Sequence, residues 1–251
     1  MEPYLGEVVG TALLILFGDG VVANVLLNKS KGQNGGWIVI TAGWGLAVMI
    51  AAYSVGTVSS AHLNPAVSIG LAAIGKFDPG LVPGYIAAQM LGAMIGATLV
   101  WLAYLPHWSV TSDQGAKLGI FCTAPGIRHT PGNLICEIIG TAALVFGALA
   151  IPSESNFTVE GWSTGFGPLL IGLLVFAIGL SLGGPTGYAI NPARDLGPRI
   201  MHALLPIPGK GGSDWSYAWI PVVGPIIGGL IGAGVHHLLF AQKVIEKTTL
   251  P

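Results

Sequence analysis

Ala61-His62-Leu63-Asn64-Pro65-Ala66-Val67 and Gly187-Tyr188-Ala189-Ile190-Asn191-Pro192-Ala193-Arg194-Asp195 are two versions of one motif, and they decide the fold. Asn is a preferred N-cap and Pro suits the first helical position, so each Asn-Pro-Ala opens a helix. The helices they open are short. Ala66 to Ile74 is apolar but covers roughly half of a ~30 Å bilayer core at 1.5 Å per residue. Ala193 to Leu205 is also short and carries Arg194, Asp195, Arg199 and His202. One Asn-Pro is an ordinary turn signal; two in register within a repeat are a specific one.

The repeat extends outward from the motifs. Glu7-Val8-Val9-Gly10-Thr11-Ala12 returns as Glu137-Ile138-Ile139-Gly140-Thr141-Ala142, and Gly45-Leu46 and Gly56 return as Gly172-Leu173 and Gly183. Leu91-Gly92-Ala93-Met94-Ile95-Gly96-Ala97 resembles Ile227-Gly228-Gly229-Leu230-Ile231-Gly232-Ala233. A membrane-crossing helix needs about 20 mostly apolar residues. Six stretches qualify, at 4–27, 37–57, 83–105, 131–151, 165–183 and 217–240. Three spans per half is an odd number, so the second half enters the membrane from the opposite face. The sequence therefore predicts an all-α membrane protein, one channel domain over 1–251, with inverted repeats at approximately 4–105 and 131–240. Its two half-helices meet near the midplane, where interrupted segments mark a binding or conduction path. Residues 106–130 read as the longest connection, 152–164 as a polar one and 206–216 as a Gly-rich one.

Composition points the same way. Only 8% of the 251 residues are charged, hydrophobic types make up 52%, and the mean hydropathy is +0.73. A soluble domain carries roughly a quarter charged residues, so a disordered chain is excluded and a soluble globule nearly so. The 39 glycines follow no collagen period and suit close helix approach in a bilayer. A net charge of −1 offers no basic face to nucleic acid. Cys122 and Cys136 fit neither a metal spacing nor a disulfide framework, so no metal or cofactor is expected. Met1 runs into an apolar segment without a basic leader, and no signal peptide is read. No HExxH or GxSxG occurs and no nucleophile–base set is visible, which argues against an enzyme.

The chemistry follows from the half-helices. Two helix N-termini at one point place about half a positive charge each there, which disfavours cations and hydrated protons. If each Asn oxygen caps its own helix, its NH₂ is left toward the lumen as a fixed donor. Arg194 opposes the dipole of its own helix, which helix building alone would avoid, so it reads either as an arginine snorkelling toward the surface or as a pore-lining donor that repels cations. Glu7 and Glu137 are intramembrane carboxyls at one repeat position; accepting hydrogen bonds from the loops that carry the half-helices explains them better than a proton relay. Asp19 is expected to be bonded near the outer vestibule.

The two motifs resemble those of the aquaporin (major intrinsic protein) family, over about Glu7 to Phe240. Asp195 after the second motif, Arg199 and Pro221-Val222 resemble its glycerol-conducting branch, the aquaglyceroporins, as seen in bacterial glycerol facilitators. The resemblance implies a homotetramer in the lipid bilayer of the cell, one pore per subunit, and passive conduction of glycerol, small neutral solutes and water. It implies a selectivity filter of Trp44, Gly179, Tyr188 and Arg194, with Gly179 as an open wall opposite the two aromatic rings. It also implies pore-lining backbone at Ala61, His62, Leu63, Gly187, Ala189 and Ile190. Both termini would be cytoplasmic, against the count of basic residues, which puts more of them in the opposite loops. Alternatives are a channel tuned to water, urea or a protonated small acid, and a coupled secondary transporter, which needs a cation site that only Glu7, Glu137 and Asp19 could supply.

Overall fold

The computed structural model describes residues 2–153, 156 and 162–248. The polar connection expected over 152–164 falls largely outside the described residues. The described residues are helical, with no strand among them. The order is α1 (Glu2–Leu26), α2 (Trp37–Ser59), α3 (Pro65–Ala73), a 3₁₀ turn (Pro79–Leu81) leading into α4 (Val82–Ala103), α5 (Leu105–Val110), α6 (Gln114–Phe121), α7 (Thr130–Ala150), α8 (Trp162–Leu182), α9 (Pro192–Leu204) and α10 (Ile220–Thr248). Six of these, α1, α2, α4, α7, α8 and α10, are long and apolar enough to cross a bilayer. Both α3 and α9 are the short helices opened by Asn-Pro-Ala.

Glycine sets how the helices meet. A Cβ on Gly92 of α4 would lie 2.3 Å from the Val8 carbonyl oxygen of α1, and one on Gly96 would lie 2.5 Å from that of Ala12. The second half repeats this: a Cβ on Gly228 or Gly232 of α10 would lie 2.3 and 2.4 Å from the carbonyl oxygens of Ile138 and Ala142 in α7. At these crossings backbone touches backbone, the small-residue packing that holds helices together where no water drives them. Between the halves, Gly45 of α2 and Gly172 of α8 face each other's carbonyls, at 2.7 and 2.6 Å for an added Cβ. The half-helices cross over. Gly70 of α3 packs on the Gly229 carbonyl of α10, and Gly197 of α9 packs on Ala93 of α4. Each short helix is thus seated against a full span of the other half.

The connection 106–130 carries α5 and α6, which sequence periodicity did not show. Asp113 caps α6 by accepting from the Ala116 amide at 3.0 Å. Phe121 and Ile120 are fully buried with Trp108, so this segment is part of the core rather than a free loop. Outside, large apolar side chains are exposed all round the bundle, including Ile38, Leu46, Leu173 and Leu238. An apolar surface of that extent faces lipid or a partner, not water.

Candidate functional site

Asn64 and Asn191 have the same job at two places. Each adopts extended backbone (φ −158° and −157°) and caps its helix with its side-chain oxygen, which accepts from the Ala66 amide at 2.9 Å and from the Ala193 and Arg194 amides at 3.0 and 3.2 Å. The NH₂ groups are not both left free to the lumen, as the sequence suggested. Asn64 Nδ2 donates to the Ile190 carbonyl and Asn191 Nδ2 to the Leu63 carbonyl, each at 2.8 Å. One N–H of each amide ties its half-helix to the opposite loop; the other has no acceptor among the described residues.

The reason lies in the loops. Leu63 and Ile190 have φ of +53° and +43°, a left-handed conformation that is uncommon for any residue with a Cβ, an outlier for the β-branched Ile190, and costs about 1–3 kcal/mol. Their backbone groups fall outside any helix ladder and need side-chain partners. Glu7, fully buried on α1, accepts from the Leu63 amide (2.7 Å), the His62 amide (2.9 Å), Ser59 Oγ (2.8 Å) and Gln89 Nε2 (2.7 Å). Glu137 on α7 accepts from the Ala189 and Ile190 amides at 3.0 and 2.9 Å. So both backbone polar groups of Leu63, and both of Ile190, are held by side chains from elsewhere: the N–H by a carboxylate, the C=O by an asparagine. Gly187, at φ +81°, supplies the turn before Tyr188.

Between the loops lies a cavity of about 220 Å³. Trp44, Tyr188 and Arg194 line it, as do Asn64, Asn191 and the segments Ala61–Leu63 and Tyr188–Ile190. The Arg194 guanidinium lies 3.9 Å over the Trp44 ring. Its Nη1 faces the Phe121 carbonyl (3.4 Å) and Asp19 Oδ1 (3.5 Å). Leu14, Val48, Leu144 and Val175 add apolar lining. Periodicity does not single out those four. Repeat register does, because Leu14 matches Leu144 and Val48 matches Val175.

Gly179 stands differently from the expectation of an open wall. Neither it nor Gly187 lines the cavity. A Cβ at Gly179 would lie 2.8 Å from Tyr188 Cζ, 2.9 Å from its hydroxyl oxygen and 2.8 Å from Thr41 Cγ2. The Tyr188 ring occupies the room that the missing side chain leaves, so Gly179 stands behind Tyr188 and not opposite it. His62 lines the cavity and pairs its Nδ1 with Ser68 Oγ at 3.0 Å. Asp195 does not reach the cavity. Its Oδ2 accepts from the Thr123 amide and hydroxyl, both at 2.7 Å, and its Oδ1 pairs with Arg199 at 2.8 Å, which clamps the segment after α6 to α9. Nearer the surface, Arg128 lies 5.4 Å over the Tyr217 ring and pairs with Asp214, a bond that raises its pKa. Burial likewise pushes the Tyr217 phenol up.

The family model for the major intrinsic protein matches residues 1–236. The chain belongs to the major intrinsic protein family. It is 60% identical over 240 residues, covering 96% of this chain and 100% of the relative, to a probable glycerol uptake facilitator protein of Thermotoga maritima. It is 57% identical over 247 residues, 98% of this chain and 88% of the relative, to the glycerol uptake facilitator protein of Bacillus subtilis. Among solved structures it is similar to the aquaglyceroporin from Plasmodium falciparum, with a TM-score of 0.82, 33% identity, and 97% and 96% of the two chains covered. As a major intrinsic protein with six spanning helices, the chain is a multi-pass membrane channel and not an enzyme.

Proposed function

We propose that this major intrinsic protein is a passive channel for glycerol and related small neutral solutes, with some water, and that the cavity between the half-helices is its conduction path. One observation carries the reading: a guanidinium over the Trp44 ring and a set of aliphatic side chains line the same cavity. Glycerol has the matching asymmetry, hydroxyls along one edge and C–H groups along the other. Each hydroxyl stripped of water without a new partner costs about 1–3 kcal/mol. Arg194 Nε and Nη2, which have no acceptor among the described residues, can replace that water, as can the remaining N–H of Asn64 and of Asn191. The names of the two bacterial relatives support the same solute.

In this reading Trp44, Tyr188 and Arg194 form the selectivity filter, with Gly179 making room for Tyr188. Pro65, Ala66, Pro192 and Ala193 build the helix starts, the lining loops supply backbone acceptors, and Glu7 and Glu137 hold those loops. The positive ends of α3 and α9 and the charge of Arg194 oppose ions and protons at successive points. The channel domain consists of inverted repeats at approximately 4–105 and 131–240, is surrounded by lipid as a homotetramer in the cell membrane, and has both termini in the cytoplasm. Stopped-flow swelling of proteoliposomes tests the solute. Glycerol entry well above that of empty vesicles, with no electrical conductance, is expected. Water flux without glycerol flux would refute it.

A further inference from the structure

Asp19 is a fully buried carboxylate in the first span, and the fold makes no use of it as a loop support. It differs in this from Glu7 and Glu137, which hold backbone amides. Among the described residues its one polar partner is Arg194: Oδ1 lies 3.5 Å from Nη1, close for two charges although long for a hydrogen bond, and Oδ2 has no partner. Asp19 lies outside the cavity lining, behind Arg194. The preceding residue completes the arrangement. A Cβ on Gly18 would lie 2.2 Å from Trp44 Cζ3, so the backbone of α1 is pressed onto the tryptophan ring that carries the guanidinium.

The neighbouring charges do not offer an alternative. Asp195 follows Arg194 in the chain, yet its oxygens are taken by Thr123 and Arg199. That leaves Asp19 as the carboxylate that answers Arg194. A buried charge without a counter-charge is strongly destabilising, so each group needs the other.

We propose that Asp19 is a positioning and specificity-determining residue for the filter: from outside the cavity lining it draws Nη1 away from the lumen and offsets part of the charge of Arg194, so that enough positive field remains to oppose cations while small anions gain no hold over neutral hydroxyls. The reading rests on the proposed channel function. Asp19 touches no solute and acts through Arg194 and, with Gly18, through the plane of Trp44.

The test uses the full chain, purified and reconstituted, as wild type, D19N, R194V and D19N/R194V. Asn is close to Asp in shape and removes the charge. In D19N the glycerol-to-water permeability ratio should fall about tenfold, as when one charge-assisted contact loses its orientation. Glycerol flux should also become sensitive to nitrate, an anion with no neutral form at working pH, while wild type stays insensitive. R194V should lower the thermal unfolding temperature by stranding Asp19, and D19N in the same chain should restore it. A purely structural pair would show the same restored stability but leave the permeability ratio and nitrate without effect. A D19N channel with an unchanged ratio and no nitrate sensitivity, or a double variant no more stable than R194V, overturns the proposal. If D19N alone does not fold, the double variant still decides whether Asp19 and Arg194 answer each other, which the proposal requires. If wild type conducts no glycerol, the channel reading fails while the stability comparison continues to report on the pair.

Discussion

Replacing Gly179 with Ala should convert this channel from one that passes glycerol to one that passes mainly water. An added Cβ would stand 2.8 Å from both Tyr188 Cζ and Thr41 Cγ2, and 2.9 Å from the tyrosine oxygen. Carbon atoms sit at about 3.5–4.0 Å when unstrained, so roughly 1 Å has to be found. Thr41 is fully buried on α2 and its hydroxyl accepts no shift easily, since it is bonded to the Trp37 and Ile38 carbonyls at 3.0 and 3.1 Å. Tyr188 has the open side: its ring borders the cavity. The ring therefore moves toward Arg194 and Trp44. Overpacking of this kind costs about 1–3 kcal/mol, and if that cost falls on the passage of the larger solute, glycerol permeability drops roughly fivefold to hundredfold. Water, which needs less width, should lose much less. Gly179→His should act in the same direction and more strongly. The assay is stopped-flow light scattering of proteoliposomes with water and glycerol, normalised to protein confirmed as folded by size-exclusion chromatography. A folded alanine variant that keeps the wild-type glycerol-to-water ratio, or loses both fluxes equally, would refute the coupling between Gly179 and Tyr188.

Four further outcomes are expected. Glu137→Gln removes a charge-assisted bond to the strained Ala189–Ile190 segment and should cost about 2–3 kcal/mol of stability, read as a lower unfolding temperature in detergent. Asn64→Asp keeps the N-cap but turns an acceptor toward the Ile190 carbonyl; it should lower solute flux and admit a cation current in planar-bilayer recordings, and a silent, fully active variant would place the amide outside the path. Arg194→Val should weaken the exclusion of ions in the fraction that folds, measured by the same recordings; unchanged ion tightness and solute ranking would mean that Arg194 is not the barrier. Lys210 donates to the carbonyls of His202, Ala203 and Leu205 at 2.7, 2.6 and 2.7 Å, closing the C-terminal end of α9; Lys210→Met should cost about 1–2 kcal/mol and raise amide exchange in the last turn of α9.

The spans were legible because hydropathy and the repeat agree on them. The predicted 37–57 is Trp37–Ser59 and the predicted 131–151 is Thr130–Ala150. Both half-helices begin where Asn-Pro places them, since capping is a local interaction. Helix α6 was not legible: eight residues with a buried lysine give no amphipathic period, and what makes them core is long-range packing around Phe121. Gly179 shows another limit. Its place relative to the second motif is readable, but that the ring of Tyr188 fills the space beside it depends on a loop at positive φ, which no spacing encodes. The second use of the asparagine amides was hidden for the same reason, because each partner is a carbonyl in the other half of the chain.

Those reciprocal amide bonds also constrain the order in which the chain can be made. When the first half leaves the ribosome, the Asn64 side-chain oxygen has its helix and the Leu63 N–H its carboxylate, but the Asn64 NH₂ and the Leu63 carbonyl lack their partners, Ile190 and Asn191, which are yet to be synthesised. In hydrocarbon an unmatched polar group costs several kcal/mol, so α3 has no reason to settle at the midplane alone. Its seat on α10 also forms last. The newborn first half is best pictured as three inserted helices with a wet, unlatched loop, and the aqueous passage comes into being in one step when the second half arrives. Two separately expressed halves should accordingly each insert without becoming permeable, and acquire flux only on meeting.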